Sequence, residues 1–215
     1  IDDYLIPGKR VHLVGIGGVS MCPLAEVLRR MGMEVQGSDM TESKTVLHLR
    51  ELGIEVRNAV GYSTTSVAET TLSSALALAR NVVYFNEYFH DGRYAAADRA
   101  FCYDRTTFEI RGKRWGIIGL GNIGREVARL ATAFGCEVAY FSTSGVERKE
   151  EYAQMSLDEL LGWCDILSVH SPLNERTRNL VDERELQLMK PSAMVINVAR
   201  GGIINEAALA KALDN

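Results

Sequence analysis

Two short apolar runs in this chain each end in a glycine-rich turn, and that pairing limits what the chain can fold into. The first is Val11-His12-Leu13-Val14-Gly15-Ile16-Gly17-Gly18-Val19-Ser20; the second is Trp115-Gly116-Ile117-Ile118-Gly119-Leu120-Gly121-Asn122-Ile123-Gly124. Each reads as a strand, a tight turn and a helix start, the arrangement in which backbone N–H groups can approach a phosphate. Residues 10–57 read β-α-β-α-β, with strands at 11–14, 34–37 and 54–56 and helices at 21–31 and 45–52. In the helix at 21–31, Met21, Leu24, Ala25, Val27, Leu28 and Met31 fall near one face. Residues 114–215 alternate again, with strands at 115–118, 137–141, 166–170 and 194–198. Their helices fall at 124–134, with Val127, Leu130 and Phe134 inward, then at 157–163, at 182–189 and from 206. Between the two halves, 66–91 carries one long helical pattern that includes Val67, Leu72, Leu76, Leu78 and Val82. Residues 93–113 lack a clear period and suit an extended arm.

Alternating strands and helices predict an α/β fold built on parallel, doubly wound sheets of the Rossmann or flavodoxin-like kind. The expected organisation is a small β-α-β-α-β lobe at 1–57, a connecting turn and long helix at 58–92, and a larger, incomplete dinucleotide-binding lobe at 93–215. One fused sheet is the alternative. The 215 residues carry a formal net charge of −4 with Lys and Arg scattered, so no nucleic-acid footprint is expected. Apolar runs stay far below the ~20 residues that span a bilayer, and the start lacks a signal pattern, so no membrane partner is expected. Cys22, Cys102, Cys136 and Cys164 form no CxxC pair and no metal-ligand spacing. They read as idle thiols of a reducing cytoplasm, and the dispersed histidines predict no metal site.

Gly119, Gly121 and Gly124 match GxGxxG, and the match follows a strand and opens an amphipathic helix. The first glycine allows the turn, the second lets backbone reach a pyrophosphate, and the third lets helix and strand pack closely. The alternative is tight packing with no ligand. An NAD site places Asp or Glu at the end of the following strand, ~20 residues on. Here that position holds Ser142, Thr143, Ser144 and Gly145; no carboxylate comes until Glu147, and Arg148 and Lys149 follow. Hydroxyls with cations suit a 2′-phosphate, which favours NADP over NAD; a solvated surface turn is the alternative for Arg148 and Lys149.

Residues 58–215 resemble the D-2-hydroxyacid dehydrogenase family. The resemblance is carried by the run from Gly61 to Glu69, the Gly119–Gly124 turn, Val169-His170-Ser171-Pro172 with Thr177 behind it, and Asn197-Val198-Ala199-Arg200-Gly201-Gly202. It implies hydride transfer between a nicotinamide and a 2-oxo acid. His170, Pro172 and Thr177 would lie along the cofactor, Val198 and Ala199 near the nicotinamide, and Arg200 on the substrate carbonyl and carboxylate. A planar guanidinium at the carboxyl end of a strand agrees with that role; a surface position at a helix start is the alternative. The family's acid/base histidine and its glutamate partner fall downstream of this arginine, beyond Asn215. Loss of a placed proton donor costs ~10²–10⁴ in rate, so the expectation is cofactor binding with little or no turnover.

Residues 11–56 resemble a different family, the amino-terminal domain of UDP-N-acetylmuramate–L-alanine ligase. The likeness rests on the run from Val11 to Met21, on Ala25-Glu26-Val27-Leu28, on Val35-Gln36-Gly37-Ser38-Asp39 and on the run from His48 to Gly53. It implies a turn that receives the diphosphate of a UDP-sugar, with Gly15, Gly17, Gly18 and Val19 as candidates. Asp39 would take a ribose hydroxyl, or else serve as a turn or cap residue. No GxxxxGK[ST] loop is present, so ligase activity is not expected. Two resemblances joined near 53–58 suggest a chimera, engineered rather than natural. Three outcomes stand: an inactive dinucleotide binder, a ligand-free scaffold, or a UDP-sugar binder. The arm at 93–112 predicts a homodimer.

Overall fold

The computed structural model describes residues 5–40, 42–57, 61–99, 101–145 and 151–214. The chain divides into two compact units, Ile1–Tyr62 and Ser63–Asn215, each with its own parallel sheet. The parallel α/β class read from the alternation is the class the structure has.

The N-terminal unit runs β1 (Arg10–Val14), α1 (Met21–Arg30), β2 (Glu34–Ser38), α2 (Lys44–Glu51) and β3 (Glu55–Arg57), with strand order β1-β2-β3. Its core gathers Leu13, Ile16, Leu28, Val35, Val46, Leu49 and Ile54. The face of α1 turns out differently from the sequence expectation. Cys22, Ala25 and Leu28 are buried, while Leu24, Val27 and Met31 are exposed. One strip of residues three apart suffices to cover a three-stranded sheet, which leaves the flanking apolar positions outside.

The C-terminal unit begins with α3 (Thr64–Ala79) and α4 (Val82–His90), followed by the short α5 (Arg93–Ala96). The expected single helix at 66–91 is therefore two. Asn81 adopts the left-handed conformation at φ 50°, and its side-chain amide donates to the Thr106 carbonyl 2.8 Å away, which fixes the break. Nor do the predicted leucines form the buried stripe of α3. Ala68, Thr71, Ala75 and Ala79 do, against Val127, Ala128 and Ala131 of α6 (Asn122–Ala133). Small residues on both helices let the backbones approach, and Leu78 and Val82 are left exposed. On α6, Val127 is buried as expected and Leu130 is half-buried, but Phe134 at the C-cap is exposed.

The remaining elements are β4 (Arg114–Ile118), β5 (Glu137–Phe141), β6 (Ala153–Gln154), α7 (Leu157–Trp163), β7 (Ile166–Val169), α8 (Glu183–Leu188), β8 (Met194–Asn197) and α9 (Glu206–Leu213). All strands are parallel, in the order β6-β5-β4-β7-β8. The chain thus builds outward from β4 in one direction, returns, and builds outward in the other. The reversal lies between β4 and β7, where an open α/β sheet leaves a crevice at its carboxyl edge. Capping boxes at Ser156/Glu159 and Asp182/Glu185 start α7 and α8. No helix among the described residues is long and apolar enough to cross a membrane.

Candidate functional site

A cavity of about 680 Å³ opens at that reversal. Its wall comes from three strand ends: Gly119, Leu120 and Gly121 after β4, Tyr140 and Ser142–Ser144 at β5, and His170–Pro172 with Asn174–Arg176 after β7. Each glycine of the turn has a separate reason to be glycine. Gly119 takes φ +93°, in the left-handed region that favours glycine. A Cβ on Gly124 would run into the Gly119 carbonyl oxygen, so α6 can lie this close to β4 only without one. A Cβ on Gly121 would meet nothing within 4 Å, because the cavity begins there. Asn122 and Ile123 then open α6, whose N-cap carries no side-chain hydrogen bond. Uncapped N–H groups beside open space suit an anion.

Behind His170 lies a buried polar chain. Trp115 Nε1 donates to Ser168 Oγ at 2.9 Å, and Ser168 Oγ lies 3.0 Å from His170 Nε2. Burial pushes the His170 imidazole down to about 4, so the ring is neutral near pH 7. Among the described residues, His170 Nδ1 and Ser171 Oγ are buried without a hydrogen-bond partner. Both atoms belong to residues that line the cavity, but the atoms themselves are closed off from solvent.

The structure gathers Gly119, Gly121, Ser142, Thr143, Ser144, His170 and Pro172 around one cavity. Thr177 is not on its surface. It is buried beneath the loop, where its hydroxyl donates to the Pro172 carbonyl at 2.7 Å and accepts from the Asn174 N–H at 2.8 Å. Val198, Ala199 and Arg200 follow β8 on the same carboxyl edge of the sheet, outside that wall. Arg200 is exposed and its Nη1 donates to the Ala199 carbonyl at 2.8 Å. Arg148 and Lys149 lie outside the described residues. Sequence reasoning missed Tyr140, Ser171, Asn174, Glu175 and Arg176, although residues directly after a strand beside the reversal are placed to meet a ligand.

The first glycine turn is built differently. Gly15 takes φ +71°, and a Cβ on Gly17 would meet Val46 Cγ2 at 2.6 Å and Asp39 Oδ2 at 2.9 Å. The Gly17 N–H already donates to Asp39 Oδ2 at 2.8 Å, and its carbonyl accepts from Thr45 Oγ1 at 2.7 Å. Val19 is fully exposed, and Gly18 N donates back to the Gly15 carbonyl at 2.9 Å. Asp39 thus acts on its own turn, and an anion at Gly17 would have to displace a carboxylate. No cluster of metal-ligating side chains occurs among the described residues.

The family profile of the D-isomer specific 2-hydroxyacid dehydrogenase NAD-binding domain matches residues 72–215. That of the Mur ligase family catalytic domain matches residues 10–91. A glyoxylate reductase of Aeropyrum pernix is 36% identical over 199 residues, 91% of this chain and 58% of that protein. A hydroxypyruvate reductase of Thermotoga maritima is 33% identical over 184 residues, 86% of this chain and 56% of that protein. The NAD-complexed D-isomer specific 2-hydroxyacid dehydrogenase of Lactobacillus delbrueckii ssp. bulgaricus superposes with a TM-score of 0.71 at 28% identity, covering 99% of this chain and 64% of that one. The chain spans little more than half the length of the curated relatives it matches. These alignments exceed the C-terminal unit, so the N-terminal residues share a likeness to dehydrogenases as well as to the ligase family.

Proposed function

The chain belongs to the D-isomer specific 2-hydroxyacid dehydrogenase family, and on that premise we propose that its C-terminal unit holds a nicotinamide dinucleotide for hydride transfer to and from a 2-oxo acid. The open cavity around Gly121, at the reversal of strand order, carries this reading. The uncapped start of α6 would hold the pyrophosphate, because peptide N–H groups and the helix dipole there favour negative charge. Once bound, the dinucleotide supplies or accepts the hydride. The chain's own residues bind and orient. Neutral His170, held by Ser168, lines the cavity without adding a charge, and Thr177 holds the loop that carries Pro172. Val198 and Ala199, after β8 on the same sheet edge, would flank the nicotinamide. Arg200 grips the 2-oxo acid, its planar fork matching the carboxylate and polarising the adjoining carbonyl. To do so it gives up its bond to the Ala199 carbonyl.

Proton delivery is not assigned to the described part of this unit. Its described histidines are His90, whose Nδ1 lies 2.8 Å from the Asn86 carbonyl, and the buried, neutral His170. The reading commits the unit to binding, orientation and polarisation. Ser142, Thr143 and Ser144 on the cavity wall support NADP over NAD, because among the described residues the end of β5 brings hydroxyls and no carboxylate to that wall, Glu175 reaching it from the β7 side. Thermal melting tests the reading. NADPH should raise the melting temperature, glyoxylate should raise it further, and Arg200→Ala should abolish only the second increment. A response to glyoxylate that survives Arg200→Ala contradicts the role given to Arg200. No response to either cofactor selects a ligand-free scaffold.

The N-terminal unit supports a second reading through the ligase profile at 10–91. The dehydrogenase alignments reach into these residues as well, so the ligase profile alone does not make the chain a chimera. Because Asp39 already takes the Gly17 N–H, a UDP-sugar must compete with that carboxylate. Calorimetry with UDP-N-acetylmuramic acid should show no saturable heat; saturable heat would restore a sugar-nucleotide site at Gly15–Gly18. A homodimer completes the reading. Phe101 and Tyr103 are 72% and 78% exposed in the arm, and Phe89 and Tyr94 are exposed as well. Light scattering should give twice the chain mass at micromolar concentration, and a monomer would contradict it.

A further inference from the structure

The cavity wall contains a cation that the sequence reading did not use. Arg176 lies on the same wall as Ser142, Thr143 and Ser144, although it is more than thirty positions further along the chain. It is exposed, and no ion pair or side-chain hydrogen bond engages its guanidinium among the described residues. Six other described arginines of the C-terminal unit are ion-paired: Arg80 to Glu109, Arg93 to Asp91, Arg99 to Asp98, Arg114 to Glu137, Arg129 to Glu126 and Arg184 to Asp158.

The backbone beneath Arg176 is held firmly. Asn174 Oδ1 accepts from the N–H of Arg176 at 2.9 Å and from that of Thr177 at 3.2 Å. Thr177 Oγ1 closes the loop onto the Asn174 N–H and the Pro172 carbonyl. The Arg178 N–H adds a bond to the Asn174 carbonyl at 2.9 Å. A side chain on such a staple starts from a fixed Cα, so less entropy is lost when its guanidinium is ordered by a ligand.

We propose that Arg176 is the specificity-determining residue of the dinucleotide site, donating to the 2′-phosphate of NADP from the β7 side of the cavity while the hydroxyls of Ser142–Ser144 meet it from the β5 side. The proposal rests on the dinucleotide reading above. A phosphate monoester carries close to two negative charges and three acceptor oxygens, which a guanidinium fork and hydroxyls match. A bare ribose offers only hydroxyls and draws little from a cation. Glu175 shares the cavity wall and acts in the opposite sense, as an acceptor for a ribose hydroxyl and a repellent for phosphate. The two neighbours thus set the preference between them.

The test is direct binding of NADPH and NADH to the purified chain, wild type against Arg176→Ala, Arg176→Lys and Glu175→Gln. Loss of one charge-assisted contact predicts that Arg176→Ala weakens NADPH about tenfold to a hundredfold and leaves NADH within about twofold. Arg176→Lys should recover part of the loss, and Glu175→Gln should tighten NADPH alone. Raising salt should narrow the gap between wild type and Arg176→Ala. Equal weakening of both cofactors would place Arg176 on the shared pyrophosphate and overturn the proposal, as would no change in either. No binding of either cofactor to the wild type would instead remove the dinucleotide reading itself. Circular dichroism of each variant separates a binding loss from misfolding.

Discussion

The two glycine turns of this chain share a local plan and end in opposite states. At Gly121 there is open space and an uncapped helix start, and across the turn His170 Nδ1 and Ser171 Oγ are buried without partners among the described residues. Around Gly17 the space is filled by Val46 and Asp39, and the turn's N–H and carbonyl are both engaged from within the unit. The difference comes from what returns over each turn. In the N-terminal unit the end of β2 and the start of α2 close onto it. In the C-terminal unit the sheet reverses direction beside it and leaves a crevice. A glycine turn behind a strand is therefore a backbone solution that serves packing or binding equally, and the neighbouring connections decide which.

Substitution at the two turns should break or sharpen this contrast. The largest effect is expected at Gly124→Val. The new side chain meets the Gly119 carbonyl and must push α6 off β4, which should cost roughly 3 kcal/mol in denaturant unfolding and remove cofactor binding with it. Retention of full stability would mean that α6 is not pressed against the turn.

Acid should next reveal the buried histidine of the open site. Burial lowers His170 to about 4 in the folded chain, against an ordinary value of 6.5. The unfolded chain therefore binds the proton first. Stability is intact above about pH 6.5 and falls as pH drops toward 4, by up to about 3 kcal/mol. His170→Gln should flatten that part of the stability profile, and an unchanged slope would show that the ring is not held neutral by burial.

A smaller effect is expected at the closed turn. Gly17→Ala must displace Val46 and Asp39, costing about 2 kcal/mol, while dinucleotide affinity stays unchanged. Asp39→Asn keeps an acceptor for the Gly17 N–H and should cost less than about 1 kcal/mol. An Asp39→Asn protein that gained strong sugar-nucleotide binding would show that the carboxylate alone kept the turn closed.

Much of this was legible from short-range pattern. The strands at 115–118, 137–141 and 166–170 and the helix after Gly121 follow from apolar period and glycine placement, and the structure has them within a residue or two. Features set by tertiary contact were not. Asn81 breaks the helix at 66–91 without glycine or proline, because its side chain finds the Thr106 carbonyl 25 residues later. The buried face of α3 is a strip of alanines, which a search for leucines misreads. Asp39 could be read as a ribose acceptor or as a turn residue, and only the distance to Gly17 N decides its present partner. Arg176 could not be associated with Ser142–Ser144 until three strand ends were brought to one cavity.

The most direct test of the open site is a fluorescence titration of the purified chain with NADPH, with NADH as competitor, against Gly121→Asp. A Cβ is tolerated at Gly121, so the variant should fold as the wild type does while its carboxylate repels the pyrophosphate. Saturable binding to the wild type, abolished in Gly121→Asp, is the predicted result. Equal binding to both proteins, or binding to neither, would contradict the claim that the turn at Gly119–Gly124 cradles a dinucleotide.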